Sequence, residues 1–149
     1  LGPRYPHGHV FDFVKKLIKD PLTLDILGDG TAQKSYLHIN DCISALMLVC
    51  EDLRPAIDKE HSFEIYNLGM EEFIEVSRSA ELIATELGLK PLFKFGEGKR
   101  GWIGDNPFVF LDVNKIKNLG WMPSYTIEES IKETANWLAH NKWIFNTRS

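Results

Sequence analysis

The sequence has no long apolar run. Polar or charged residues interrupt every stretch short of the ~18 residues that a membrane-spanning helix needs, and no signal-peptide pattern opens it. It has no basic excess either. Lys and Arg number 17 against 21 Asp and Glu, a net charge of −4, which argues against a general nucleic-acid binder because that needs a cationic stripe. Cysteine is scarce. The two present, Cys42 and Cys50, fall in a helical pattern that sets them about 12 Å apart along the axis, too far for a disulfide. Reduced core cysteines in a cytoplasmic protein are expected. His7 and His9 form an H-x-H and His38 lies further on, but no other Cys, His or carboxylate stands at ligand spacing. These histidines therefore read as surface or core residues, with no metal site. Internal repeats, low-complexity tracts and linkers are also missing.

What is present is a 149-residue chain, 44% hydrophobic, enough to fill one core. It begins with Leu1 rather than Met and runs straight into a Gly-Pro turn, so it is expected to be a piece of a longer protein. "HVFDFVKKLIKDP" spaces Val10, Phe13, Val14, Leu17 and Ile18 along one helix face, stopped by Asp20-Pro21. "LTLDIL" predicts a strand, Gly28–Gly30 a turn, and "QKSYLHI" a second strand. "NDCISALMLVCEDL" predicts a helix capped by Asn40 or Asp41 and buried, being apolar nearly all round. "SFEIYNLG" predicts a strand, and "VSRSAELIATELG" a helix with Val76, Ala80, Ile83, Ala84 and Leu87 inward, ended by Gly88.

"PLFKF" then predicts a short strand, and "LDVNKIKNLGW" a short helix capped by Asp112 and ended by Gly120. "TIEESIKETANWLAHN" predicts a helix opened by a Thr126–Glu129 capping box, with Ile127, Ile131, Ala135 and Leu138 inward. Trp102, Trp121, Trp137 and Trp143 are expected to anchor packing, since no basic interleaving makes them a stacking platform. The alternation is α/β or α+β, with too few strands for a complete doubly wound sheet.

"GEGKRGWIGDNP" places Gly96, Gly98 and Gly101 at the G-x-G-x-x-G spacing of a dinucleotide fingerprint. That fingerprint works when a strand enters it and a helix leaves it, holding a pyrophosphate at the helix N-terminus. A strand enters here, but "WIGDNPFVF" follows, a turn and β-rich run in which no helix can start. No acidic residue follows at the ribose-contact spacing. NAD binding at these glycines is not expected, and Lys99 and Arg100 leave the loop suited to another anion.

"LGDGTAQKSYLHINDCISAL" joins a strand, a G-D-G turn, a basic residue, a second strand ending His-Ile-x-Asp and a helix. This resembles the NAD-dependent epimerase/dehydratase family of extended short-chain dehydrogenases/reductases, and within it the UDP-glucose 4-epimerase-like nucleoside-diphosphate-sugar epimerases. "GPRYPHGHVFDFVKKL", "EIYNLG" and "RGWIGDNPFVFLDVNKIKNLGWMPSYTIEESIKETANWL" resemble further segments of the family, in the same order. The resemblance spans nearly the whole chain. It implies an α/β fold, the C-terminal portion of an extended Rossmann-type fold with mixed small sheets and packed helices, residues 1–149 forming one substrate-binding domain.

The family's chemistry uses a Tyr-x-x-x-Lys pair and an N-terminal Gly-rich NAD turn. Here Tyr5, Tyr36, Tyr66 and Tyr125 are followed four residues later by His9, Asn40, Met70 and Glu129. The resemblance is thus to the half that closes over the sugar nucleotide. It implies that Leu24 and Ile26 contact the base, that Lys34, usually Arg in the family, faces the diphosphate, and that Arg100 (with Lys99 the alternative) makes a second phosphate contact. Asp105 matches the ribose-binding carboxylate. Without the family pattern, Lys34 and Arg100 read as solvated cations, Asp105 as a turn residue and Leu24 and Ile26 as core. The implied function is the UDP-sugar-binding portion of an epimerase, inactive alone, with NAD held by the other half. The alternative is a non-catalytic nucleotide-sugar-binding or interaction module that forms a homo-oligomer or docks a partner.

Overall fold

The computed structural model describes residues 1–53, 64–99, 101, 104 and 110–146, the side chain of residue 53 excepted. α1 (Gly8–Lys19) leads to β1 (Thr23–Ile26), the G-D-G turn and β2 (Gln33–Lys34). α2 (Ile39–Leu53), β3 (Ile74–Glu75), α3 (Val76–Glu86) and β4 (Leu92–Phe95) follow, then α4 (Asn114–Lys117), α5 (Ile127–His140) and a 3-10 turn at Lys142–Asn146.

The strands on either side of the G-D-G turn do not pair with each other. β1 pairs parallel with β4, Leu24 opposite Phe93 and Ile26 opposite Phe95, while β2 pairs antiparallel with β3, Lys34 opposite Ile74. The turn itself separates them. Asp29 Oδ1 accepts from the Thr31 N–H at 3.0 Å and from the Thr31 hydroxyl at 2.6 Å, curling the chain away from a hairpin.

The amphipathic helices form as their spacing predicts. α1 buries Val10, Phe11, Phe13, Val14 and Leu17 and leaves Ile18 exposed. α3 buries Ser79, Ala80, Leu82, Ile83 and Ala84 and ends at Gly88, with φ +68°. α5 carries the reciprocal Thr126–Glu129 cap and buries Ile127, Ile131, Ala135 and Leu138. These helices pack on one another and α1 packs on β1, and Leu17, Leu24, Ile83, Ile131 and Leu138 lie in the main core. A second core, Ala45, Val113, Ile116 and Trp121, lies between α2 and α4.

Several expectations are corrected. "QKSYLHI" is a strand only at Gln33–Lys34, and residues 64–70 of "SFEIYNLG" take no strand geometry. A strand exists only beside another, and among the described residues none lies beside that segment. α2 starts at Ile39, so neither Asn40 nor Asp41 caps it. The His38 Nδ1 accepts the Asn40 N–H at 3.2 Å, and the Asp41 carboxylate instead accepts the Ser124 N–H at 2.8 Å and the Tyr125 N–H at 3.2 Å. Nor is α2 buried: Ile39, Ile43, Leu46 and Met47 are 44–59% exposed, and Cys50 is exposed as well rather than in a core. Val113 holds the cap position of α4, although the Asp112 carboxylate still accepts the Asn114 N–H at 2.9 Å. Trp121 is buried and donates Nε1–H to the Ser44 hydroxyl at 3.0 Å, whereas Trp143 is exposed and meets Trp137 edge-on. Trp102 lies outside the described residues.

Candidate functional site

Two glycine-bearing loops meet where β1 and β4 end. The Gly96 N–H donates to the Ile26 carbonyl at 3.0 Å and the Asp29 N–H to the Gly98 carbonyl at 2.8 Å. A Cβ at Gly96 would stand 3.1 Å from the Gly28 nitrogen, and one at Gly101 3.0 Å from the Leu27 carbonyl oxygen. The G-x-G-x-x-G spacing thus lets this loop lie against the chain's own turn. Among the described residues the next helix after Gly101 is α4, so these glycines do not build the pyrophosphate cradle of a dinucleotide site. Gly30, with φ +80°, is more crowded still: a Cβ there would meet the Phe95 ring at 2.5 Å.

Beside these loops is a cavity of about 150 Å³. α1 contributes His9, Asp12, Phe13 and Lys16, the exit of β1 contributes Leu27, and Lys34, Tyr36 and Gly101 line the rest with Ala32 and Val76. Lys16 Nζ stands 3.7 Å from the Asp12 carboxylate one helical turn away, and donates to the Asp25 carbonyl at 3.0 Å. His9 is fixed from both sides, its Nε2 2.6 Å from the Ser79 hydroxyl and its Nδ1 2.7 Å from the Tyr36 hydroxyl. The Tyr36 ring stacks on it at 5.1 Å, and the Phe13 ring meets it edge-on at 5.4 Å. Two lysines, an aromatic hydroxyl and apolar surface converge here, a set of groups able to hold an anion with an apolar flank.

Of the residues expected from the sequence, Lys34 lines this cavity. Leu24 and Ile26 do not. Both are buried in the main core, because alternation along β1 turns them away from solvent, and the neighbouring Leu27 is the side chain that reaches the cavity. Arg100 and Asp105 lie outside the described residues, although Gly101, next to Arg100, lines the cavity. Lys99 is exposed. Sequence reasoning missed Lys16, Leu27 and Tyr36 and gave His9 no role in a site. The Asp12–Lys16 spacing on the polar face of α1 was the available signal.

A wider depression of about 610 Å³ lies between β3, the start of α3 and the start of α5. Its lining includes Glu72, Glu75 and Glu128, and its one lining cation among the described residues, Arg78, is held by Glu128 at 3.0 Å and Glu81 at 3.3 Å, bonds that raise its pKa. Its charge suits an anion poorly despite its size.

No family model matches the chain. Solved structures do resemble it. One is a UDP-galactose 4-epimerase, TM-score 0.79 at 32% identity, covering 96% of this chain and 44% of that one. Another is the dTDP-glucose 4,6-dehydratase of Bacillus anthracis in complex with NAD, TM-score 0.71 at 26% identity, covering 99% and 44%. Among curated proteins, the UDP-glucuronate 4-epimerase of Thermodesulfobacterium geofontis is 28% identical over 142 residues, 91% of this chain and 39% of the relative. Small sheets, packed helices and these neighbours define an α/β fold of the extended short-chain dehydrogenase/reductase type. The homologues and structure neighbours of the chain are members of the NAD-dependent epimerase/dehydratase family, and it matches a C-terminal portion of them. It spans about two-fifths of the length of curated relatives such as these.

Proposed function

We propose that this chain is the nucleotide-sugar-binding portion of an NAD-dependent sugar-nucleotide epimerase of the UDP-glucose 4-epimerase type. The observation that carries the reading is the cavity in which Lys34, the cation of the family's turn motif, joins Lys16 beside apolar Leu27. The lysines attract the diphosphate as point charges. Arg100 adds a planar phosphate contact and Asp105 accepts the ribose hydroxyls. Leu24 and Ile26 anchor β1 from the core, so that its end and Leu27 face the base.

At about 150 Å³ the cavity is smaller than the ~300–1,000 Å³ of sites that enclose whole drug-sized ligands. It takes the phosphate region, and the rest of the ligand extends toward the NAD-binding half that the family resemblance implies. Residues 1–149 are then a single substrate-binding domain of a cytoplasmic enzyme. The hydride chemistry that NAD supplies belongs to the other half, so the chain alone turns over no substrate. Calorimetric titration with UDP, TDP, GDP and their sugars tests the reading, with tightest binding expected for the uridine series. Absence of saturable binding by all of them overturns it, and turnover of UDP-galactose with added NAD overturns the inactivity.

A second reading is favoured by α2. Ile39, Ile43, Leu46 and Met47 recur at helical spacing and stand exposed, the kind of contiguous apolar surface that drives association. On that reading the chain is an interaction module that dimerises or docks a partner. A single monomeric species by light scattering over a wide concentration range counts against it.

A further inference from the structure

Ser79, on the inner face of α3, is fully buried, and it is not among the residues that line the cavity. Its hydroxyl still connects to that cavity. Oγ lies 2.6 Å from His9 Nε2, and His9 Nδ1 lies 2.7 Å from the hydroxyl of Tyr36, a cavity residue like His9 itself. The stacked Tyr36 ring and the edge of Phe13 hold the imidazole plane, keeping both nitrogens aimed at their partners. Three side chains from α3, α1 and the segment after β2 thus form one hydrogen-bonded relay ending beside Lys34.

A neutral imidazole has one donor and one acceptor nitrogen, so the relay has two polarities. In one, Ser79 donates to Nε2, Nδ1–H donates to the Tyr36 oxygen, and the tyrosine hydrogen points to an acceptor on the cavity side. In the other, Nε2–H donates to Ser79, Nδ1 accepts the tyrosine hydrogen, and the cavity meets only phenolic lone pairs. An ionised phosphate oxygen accepts and does not donate, so it selects the first polarity. Each link of such a chain polarises and strengthens the next.

We propose that Ser79 and His9 are positioning residues that set the Tyr36 hydroxyl as a hydrogen-bond donor to a phosphate group held beside Lys34. The inference rests on the nucleotide-sugar reading and deepens it: Lys34 supplies charge, and the relay supplies direction.

The test titrates wild type, Ser79→Ala, Ser79→Thr, Tyr36→Phe and the Ser79→Ala/Tyr36→Phe double variant with uridine, UDP and inorganic pyrophosphate. Nitrogen NMR of the His9 ring accompanies each titration. Ser79→Ala and Tyr36→Phe are each expected to weaken UDP and pyrophosphate about three- to tenfold, the worth of one hydrogen bond. The double variant should bind no more weakly than Tyr36→Phe, uridine should be indifferent, and Ser79→Thr should restore affinity. Additive losses, or wild-type affinity for UDP in Ser79→Ala, overturn the relay and leave the nucleotide-sugar reading standing. Relay-dependent binding of pyrophosphate with UDP no tighter removes that reading and keeps the relay, whereas no binding of either ligand removes both. Because Ser79 is fully buried and substitution there can impair folding, the wild-type spectrum decides by itself as well. A His9 proton that stays on Nε2 with pyrophosphate bound overturns the proposal.

Discussion

His38 lies flat against Tyr125, the ring centroids 3.8 Å apart and the planes 20° from parallel. The imidazole is fully buried, and since Nδ1 accepts the Asn40 N–H, its proton sits on Nε2. That nitrogen points toward the Glu133 carboxylate at 3.5 Å without a hydrogen bond among the described residues. Burial pushes the pKa of His38 below its ordinary value. Glu133 and Asp41 oppose the shift, and the ammonium of Leu1 adds to it.

The sign follows from linkage. The unfolded chain takes up the proton near the usual value of about 6.5, and the folded chain only below it. The stability from neutral His38 is therefore complete above about pH 6.5 and declines as pH falls through that value toward the folded pKa. Urea melts of the wild type between about pH 7.5 and 5 should show this loss, and His38→Gln should flatten the profile. A wild-type profile already flat across that range contradicts a neutral buried His38.

Gly30 and Gly88 separate backbone strain from steric clash. Both have positive φ, but a Cβ at Gly88 meets nothing within 4 Å, while one at Gly30 collides with Phe95 and approaches Ser77 at 3.1 Å. Gly88→Ala should cost about 1–2 kcal/mol, the left-handed penalty alone. Gly30→Ala should cost more and also weaken UDP binding, because it displaces β4 and the loop leading to Gly101. Equal thermal shifts for the two variants would show that the loops are free to separate.

These cases also mark what could be read from the sequence. The capping box at Thr126, the stop at Pro21 and the inward faces of α3 and α5 are local, so spacing alone predicts them. Residues 64–70 are not: their apolar alternation suits a strand, but a strand also needs a neighbour, and nothing in the segment says whether one is present. α2 fails for the same reason, since an apolar helix predicts a cover without saying that this chain supplies it. Within the cavity, Lys34 was legible through its position after the G-D-G turn. Lys16 and Tyr36 were not, because only the packing of α1 against the segment after β2 brings them beside it.

The exposed face of α2 yields a test of association. Leu46 and Met47 are 54% and 59% exposed, so Leu46→Lys and Met47→Lys should change monomer stability by no more than about 0.5 kcal/mol. If this face joins another surface, each lysine should shift the protein toward monomer in sedimentation or light scattering. Unchanged assembly in both variants moves the interface elsewhere.

Charge at the cavity can be tested apart from the relay. Lys34→Ala removes a cation from the wall and should weaken UDP by about 1.5–3 kcal/mol, the range of a charge-assisted hydrogen bond, while leaving uridine little affected. Lys34→Arg should keep or improve affinity, since a guanidinium grips phosphate oxygens in pairs where an ammonium acts as a point. Lys16→Ala should also weaken UDP, its ammonium being shared with Asp12 and the Asp25 carbonyl. Arg100→Ala should weaken UDP but not uridine, and Asp105→Ala should weaken both through the ribose. Raising the salt should narrow the gap between wild type and Lys34→Ala, because exposed charge attraction is screened over a Debye length of about 8–10 Å at physiological ionic strength. A Lys34→Ala protein that binds UDP and uridine as the wild type does would place the phosphates outside this cavity.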